Sequence, residues 1–85
     1  MSTDLHYDLE AHGESATLYV TGTLSTHGVI AAMHCCDALP DQVRSLRVDL
    51  RGTRGAEASA HEALAFTTRR WRDVRAGRTR IDLPR

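Results

Sequence analysis

Ser59, His61 and Glu62 supply the side-chain types of a hydrolytic triad within one short stretch. A working triad draws nucleophile, base and orienting acid from separate elements that meet in space, so this crowding argues against one. No nucleophile-elbow motif is present, and Gly52-Thr53-Arg54-Gly55 lacks the lysine and Ser/Thr of a phosphate loop. His27, His34, Cys35, Cys36 and His61 are metal-ligating types, but no C-x-x-C or H-x-x-x-H spacing joins them. Cys36 and Met33 read as core, Cys35 and the histidines as surface. The residues therefore predict no catalytic site, no metal and no cofactor. Ser59 remains, and it begins a helical pattern. Its simplest role is an N-cap, worth about 1 kcal/mol. A phosphate there would meet exposed N–H groups and the positive end of the helix dipole. It would also set about two negative charges beside Arg54 and Arg69.

Alternating apolar and polar residues place a strand at Leu5-His6-Tyr7-Asp8-Leu9, and Ala11–Ser15 form a turn in which Gly13 supplies a positive φ. Thr17-Leu18-Tyr19-Val20-Thr21 is β-branched and aromatic, and predicts a hairpin partner ended by Gly22. Ser25 or Thr26 caps a first helix with Val29, Ile30, Met33 and Cys36 inward and His27, His34 and Asp37 toward solvent. Pro40 closes it. A third strand spans Ser45–Leu50, with Leu46, Val48 and Leu50 facing one way and Arg47 and Asp49 the other. Arg51–Ala56 reads as a loop. The second helix runs from about Ser59 to about Arg75, with Leu64 and Trp71 on its core face near Ala60, Thr67 and Val74. Phe66 falls opposite, sharing the outer face with Ser59, Glu62, Arg69, Arg70 and Asp73. An aromatic among charges there is a candidate interface anchor. Gly77 stops the helix and Arg78–Leu83 forms the last strand. The order β-β-α-β-α-β implies a small α/β domain over residues 1–85, its sheet of about four strands covered by helices on one face.

With 85 residues and 41% hydrophobic content, the chain fits one domain with a modest core. No apolar run approaches a membrane span, and Met1-Ser2-Thr3-Asp4 lacks a signal pattern. Neighbouring cysteines bridge poorly, so no disulfide framework exists, in keeping with a reducing cytoplasm. The formal charge is zero, yet residues 1–43 carry six acids and no arginine, while residues 44–85 carry eleven arginines and five acids. The halves thus sum to −6 and +6. Either the charges mix on folding, or they mark complementary surfaces for self-association. Nucleic acid is a poor partner for a chain with no lysine, arginines interleaved with acids, and no net charge.

Three stretches resemble the STAS domain of bacterial anti-sigma-factor antagonists. Leu18-Tyr19-Val20-Thr21-Gly22-Thr23-Leu24-Ser25 is similar to the family's strand ending in G-x-L-D. Leu46-Arg47-Val48-Asp49-Leu50-Arg51-Gly52 is similar to its V-x-D-L-S-x strand end, and Glu57-Ala58-Ser59-Ala60 stands in the place of its D-S-S-G. The likeness covers about residues 4–83. It implies a non-catalytic module that docks on an anti-sigma or serine-kinase-type protein and loses that partner when Ser59 is phosphorylated. Thr53, Arg54, Glu57, Glu62, Phe66, Arg69 and Arg70 would then be partner contacts. Ala58, Ala60 and His61 depart from the family pattern, and the family's last helix has no counterpart here. The sheet it covers would then be open, and a homodimer or a larger partner would close it. The alternative is an unphosphorylated accessory subunit of a larger complex, such as a lipid transporter.

Overall fold

The computed structural model describes residues 5–84, so the Met1–Asp4 stretch lies outside the described residues. The chain forms β1 (Leu5–His12), β2 (Ser15–Leu24), α1 (Thr26–Asp37), β3 (Ser45–Ala56), α2 (Ala58–Arg75) and β4 (Arg78–Asp82). The sheet order is β1-β2-β3-β4. β1 pairs antiparallel with β2, whereas β2–β3 and β3–β4 are parallel. Each helix connects the strands of one of these parallel pairs, and both pack on one face of the sheet, as the sequence order predicts.

The strands outrun the sequence reading. β1 continues to His12, and the turn shrinks to Gly13-Glu14 with Gly13 at φ 60°. Gly22 does not end β2. It takes φ 88° within a strand whose pairing with β3 shifts register at Tyr19/Thr21 and again at Gly22/Thr23. Such irregularities re-aim a strand without ending it. They let β2 reach Leu24, and the expected loop Arg51–Ala56 becomes the second half of β3. Leu83 falls just beyond β4.

The core lies between sheet and helices. Leu18, Val20, Leu46, Val48 and Leu50 meet Val29, Met33, Cys36, Leu64 and Trp71, all buried. On α1 the buried stripe is Val29, Ala32, Met33 and Cys36, a helical repeat that leaves Ile30 outside at 55% exposure. The expected core role of Ile30 is thus overturned. Val74 is likewise displaced outward, because Arg75 takes the inward place. Its guanidinium lies 4.7 Å from the Trp71 ring centroid and donates to the carbonyls of Asp37, Leu39, Pro40 and Val43. One arginine therefore ties off the C-terminus of α1, where free carbonyls need partners.

The opposite sheet face is polar. Asp8, Tyr19, Asp49 and Asp82 are lateral neighbours across it, and Arg47 pairs with Asp82. Asp49 points away from the helices as expected, yet it is buried, because Arg51 wraps it with its backbone N–H at 3.0 Å and its guanidinium at 2.9 and 3.0 Å. These bonds hold its carboxyl at about 2. The folded pKa is depressed, so the stabilisation is present above the unfolded value and is lost as pH falls from about 4 toward about 2. An Asp49→Asn protein should lack this part of the acid-induced drop in melting temperature. A drop of unchanged size would show that Asp49 does not contribute to it.

Candidate functional site

α1 and α2 run side by side in the same direction, both beginning at the C-terminal edge of the sheet. The Thr26 and Ser59 hydroxyls meet at 2.5 Å, and Arg70 Nη2 donates to Asp37 Oδ2 at 2.9 Å near the other end. Where the helices begin, Glu57 bridges them. Its backbone N–H donates to Leu24 O at 2.9 Å, and its Oε1 accepts from the Thr26 N–H at 2.9 Å. Glu57 thus puts a carboxylate on the positive end of α1, while Ser25 Oγ accepts from the Gly28 N–H at 3.1 Å. Two chain segments distant in sequence share one cap.

Ser59 itself is not an N-cap. That position belongs to Glu57, which makes no side-chain bond to its own helix, and Ser59 lies inside the first turn. A side chain there already has helical backbone, so its hydroxyl turns outward to Thr26 instead of back to the α2 amides. Ser59 is exposed. The Gly-to-Ala departure at Ala60 carries no strain, since Ala60 is helical and among the described residues the positive-φ positions are Gly13, Gly22 and Ala76.

The remaining candidates divide. Arg54, Glu57 and Glu62 are exposed, Glu57 and Glu62 at the start of α2 with Ser59, and Arg54 near the end of β3, but the Thr53 hydroxyl is turned inward and donates to Leu50 O at 2.7 Å. Phe66 is 64% exposed on the outer face of α2, as the helical spacing predicts. Arg69 and Arg70 are exposed as well, but α2 is one unbroken helix and ten residues span about 15 Å. Arg69 therefore does not stand beside Ser59, and Arg70 is engaged by Asp37. Thr26 and Asp37 were not legible as site residues, because only the parallel packing of the helices brings them to Ser59 and Arg70. The cleft beside Arg70, lined by Asp37, Trp71, Val74 and Arg75, has a volume of about 190 Å³. Ligand pockets start near 300 Å³.

The cysteines are free, Cys35 exposed and Cys36 buried. Burial pushes the Cys36 thiol up to about 12, which leaves it inert. Tyr7 Oη lies 3.3 Å from Cys35 Sγ, and that hydrogen bond raises the phenol pKa. Among the described residues, no three His, Cys, Asp or Glu side chains gather as a metal site requires.

No family model matches the sequence, and no curated protein does either. Solved structures do match. The antisigma-factor antagonist STAS domain from Rhodobacter sphaeroides superposes with a TM-score of 0.70 at 17% identity, covering 92% of this chain and 85% of that one. The unphosphorylated anti-sigma factor antagonist SpoIIAA gives 0.76 at 20% identity, covering 94% and 71%. This chain has the STAS fold. The fold also matches part of a longer protein, Mglu, with a TM-score of 0.78 at 18% identity, where 91% of this chain covers 19% of that one. At these identities the shared property is the STAS fold itself, and the resemblance read from the strand ends and the Glu57–Ala60 segment agrees with it. No helix among the described residues is long and apolar enough to cross a membrane.

Proposed function

We propose that this STAS-fold chain is a non-catalytic regulatory module of the cytoplasm that binds an anti-sigma or serine-kinase-type protein through the end of the molecule where α1 and α2 begin. The observation that carries the reading is the Thr26–Ser59–Glu57 junction. Ser59 is exposed, and among the described residues its side-chain partner, Thr26, belongs to the other helix. A phosphate on Ser59 brings about two negative charges next to the Glu57 carboxylate, which already occupies the start of α1. Like charges repel, so Glu57 leaves the Thr26 N–H and the hydroxyl pair is broken. The docking surface then changes in charge and in shape together. Arg54, Glu57, Glu62 and Phe66 form the contact surface, with Phe66 as the apolar anchor and Arg69 at its far end. Thr53 and Arg70 support that surface through their internal bonds.

The test is incubation with anti-sigma-type serine kinases and ATP, followed by intact-mass measurement. One added phosphate is expected on wild type and none on Ser59→Ala. Equal labelling of the two proteins sinks the switch. In pulldown with the same partner, Phe66→Ala should weaken capture at least about fivefold while leaving the melting temperature in place. The Mglu match supports a second reading, in which the fold serves as a constituent of a larger assembly. A chain that is never phosphorylated yet co-purifies stoichiometrically with a larger protein would favour it.

A further inference from the structure

Among the described residues β1 and β4 are the two edges of the sheet, and each presents an unpaired row of backbone N–H and C=O groups. A second copy laid edge to edge, with its helices on the same side, sets its β4 antiparallel to β1, because β1 alone runs against the other strands. Cross-strand partners then share a face. Ladder pairing fixes which face each residue occupies: Leu9 opposes the buried Leu18, and Ile81 opposes the buried Val48. His6, Asp8 and Glu10 are therefore on the open face of β1, and Arg78, Arg80 and Asp82 on the open face of β4.

In one register these sets match throughout. Asp8 falls opposite Arg80, Glu10 opposite Arg78 and His6 opposite Asp82, while on the helix side Tyr7 meets Ile81, Leu9 meets Thr79 and Leu5 meets Leu83. Tyr7 and Leu83 are 40% and 61% exposed in the single chain, so this pairing covers them. Moving the register by two residues in one direction sets Asp8 against Asp82, and in the other it sets His6 against Arg80. Pairing like edges is worse. The fullest registers of β1 on itself oppose Asp8 to Asp8 or to Glu10, and centred β4 opposes Arg80 to Arg80. The acidic half of the sequence thus supplies Asp8 and Glu10 to one edge and the basic half supplies Arg78 and Arg80 to the other, where Arg80 also meets Asp82 of its own strand at 2.9 Å.

We propose that the chain self-associates head to tail, β1 of one copy pairing with β4 of the next in this register. The contact is heterologous, so each addition leaves a free β1 and a free β4, and association grows with concentration instead of stopping at a twofold dimer. It involves neither Ser59 nor Phe66, and stands apart from the partner surface above.

Sedimentation velocity over a concentration series in low salt tests it. The mean mass of wild type should rise with concentration and fall back as salt screens the pairs. Asp8→Arg/Glu10→Arg and Arg78→Glu/Arg80→Glu proteins should each associate at least about tenfold more weakly, with circular dichroism confirming that both are folded. Mixed in equal amounts they should associate again, since each supplies an edge of the sign that the other lacks. A wild type that stays single up to about 1 mM overturns the proposal and leaves these edges to a different protein's strand. Folded charge-reversal variants that associate as strongly as wild type overturn it equally. So does a mixture that fails to recover association.

Discussion

Replacing Trp71 by alanine is expected to cost about 3–5 kcal/mol and to lower the melting temperature by on the order of 20 °C. Trp71 is the largest fully buried side chain and joins several parts of the fold at once. Its ring packs in the core between α1 and the sheet, and its indole N–H donates to Cys36 O at 3.0 Å near the end of α1. Arg75 lies over the ring on its way to the carbonyls beyond α1. Alanine removes the ring, leaves the Cys36 carbonyl without this donor and takes away the surface on which Arg75 rests. For a chain of this length total stability is about 4–13 kcal/mol, so a large part of it would go. Chemical denaturation followed by far-ultraviolet circular dichroism measures the loss. Trp71→Phe should recover most of the volume but not the hydrogen bond, and should fall between the two. An alanine protein within about 1 kcal/mol of wild type would show that α1 and α2 are held together by other contacts.

The periodic parts of this fold were legible in the sequence. Leu46, Val48 and Leu50 alternate, and Leu64 and Trp71 recur at helical spacing; the structure buries all five. The same arithmetic puts Phe66 outside, where the structure has it. What misled was punctuation. Gly22 and the Arg51–Ala56 segment carry the residue types of turns, but two long strands paired with register shifts keep both extended. Tertiary pairing overrode local preference. Ile30 and Val74 lie outside because a hydrophobic residue near the right angle is not always the one the core takes. Ala32 fits the close approach of α1, and Arg75 is long enough to reach four carbonyls where Val74 is not. At the candidate site, position was readable and partnership was not. No local pattern links Thr26 to Ser59 or Asp37 to Arg70, because both pairs exist only when two parallel crossovers pack side by side. The edge complementarity was visible in sequence only as an uneven charge count.

The helix stop after α2 yields the second large effect, and it corrects the sequence reading. Gly77 looked like the left-handed residue that ends a helix, but the residue with φ 51° is Ala76. Gly77 is required for a different reason. A β-carbon there would lie 2.1 Å from the Arg44 carbonyl oxygen and 3.0 Å from its carbon, both backbone atoms with no rotamer to escape into. That same oxygen accepts the Arg78 N–H at 2.8 Å, the bond that starts β4 beside β3. Gly77→Ala must therefore push the α2–β4 connection away from Arg44 and weaken the first rung of the β3–β4 ladder. A cost of about 2–3 kcal/mol is expected, read as a lower urea midpoint. Ala76→Gly should move the midpoint the other way by roughly 1 kcal/mol, since it relieves a left-handed alanine. Equal behaviour of the two variants would refute this division of roles. The consequence extends to the sheet edge, because β4 is short and its lateral position depends on this anchor. A Gly77→Ala protein that remains folded should also lose association through Arg78 and Arg80, although neither arginine has been changed.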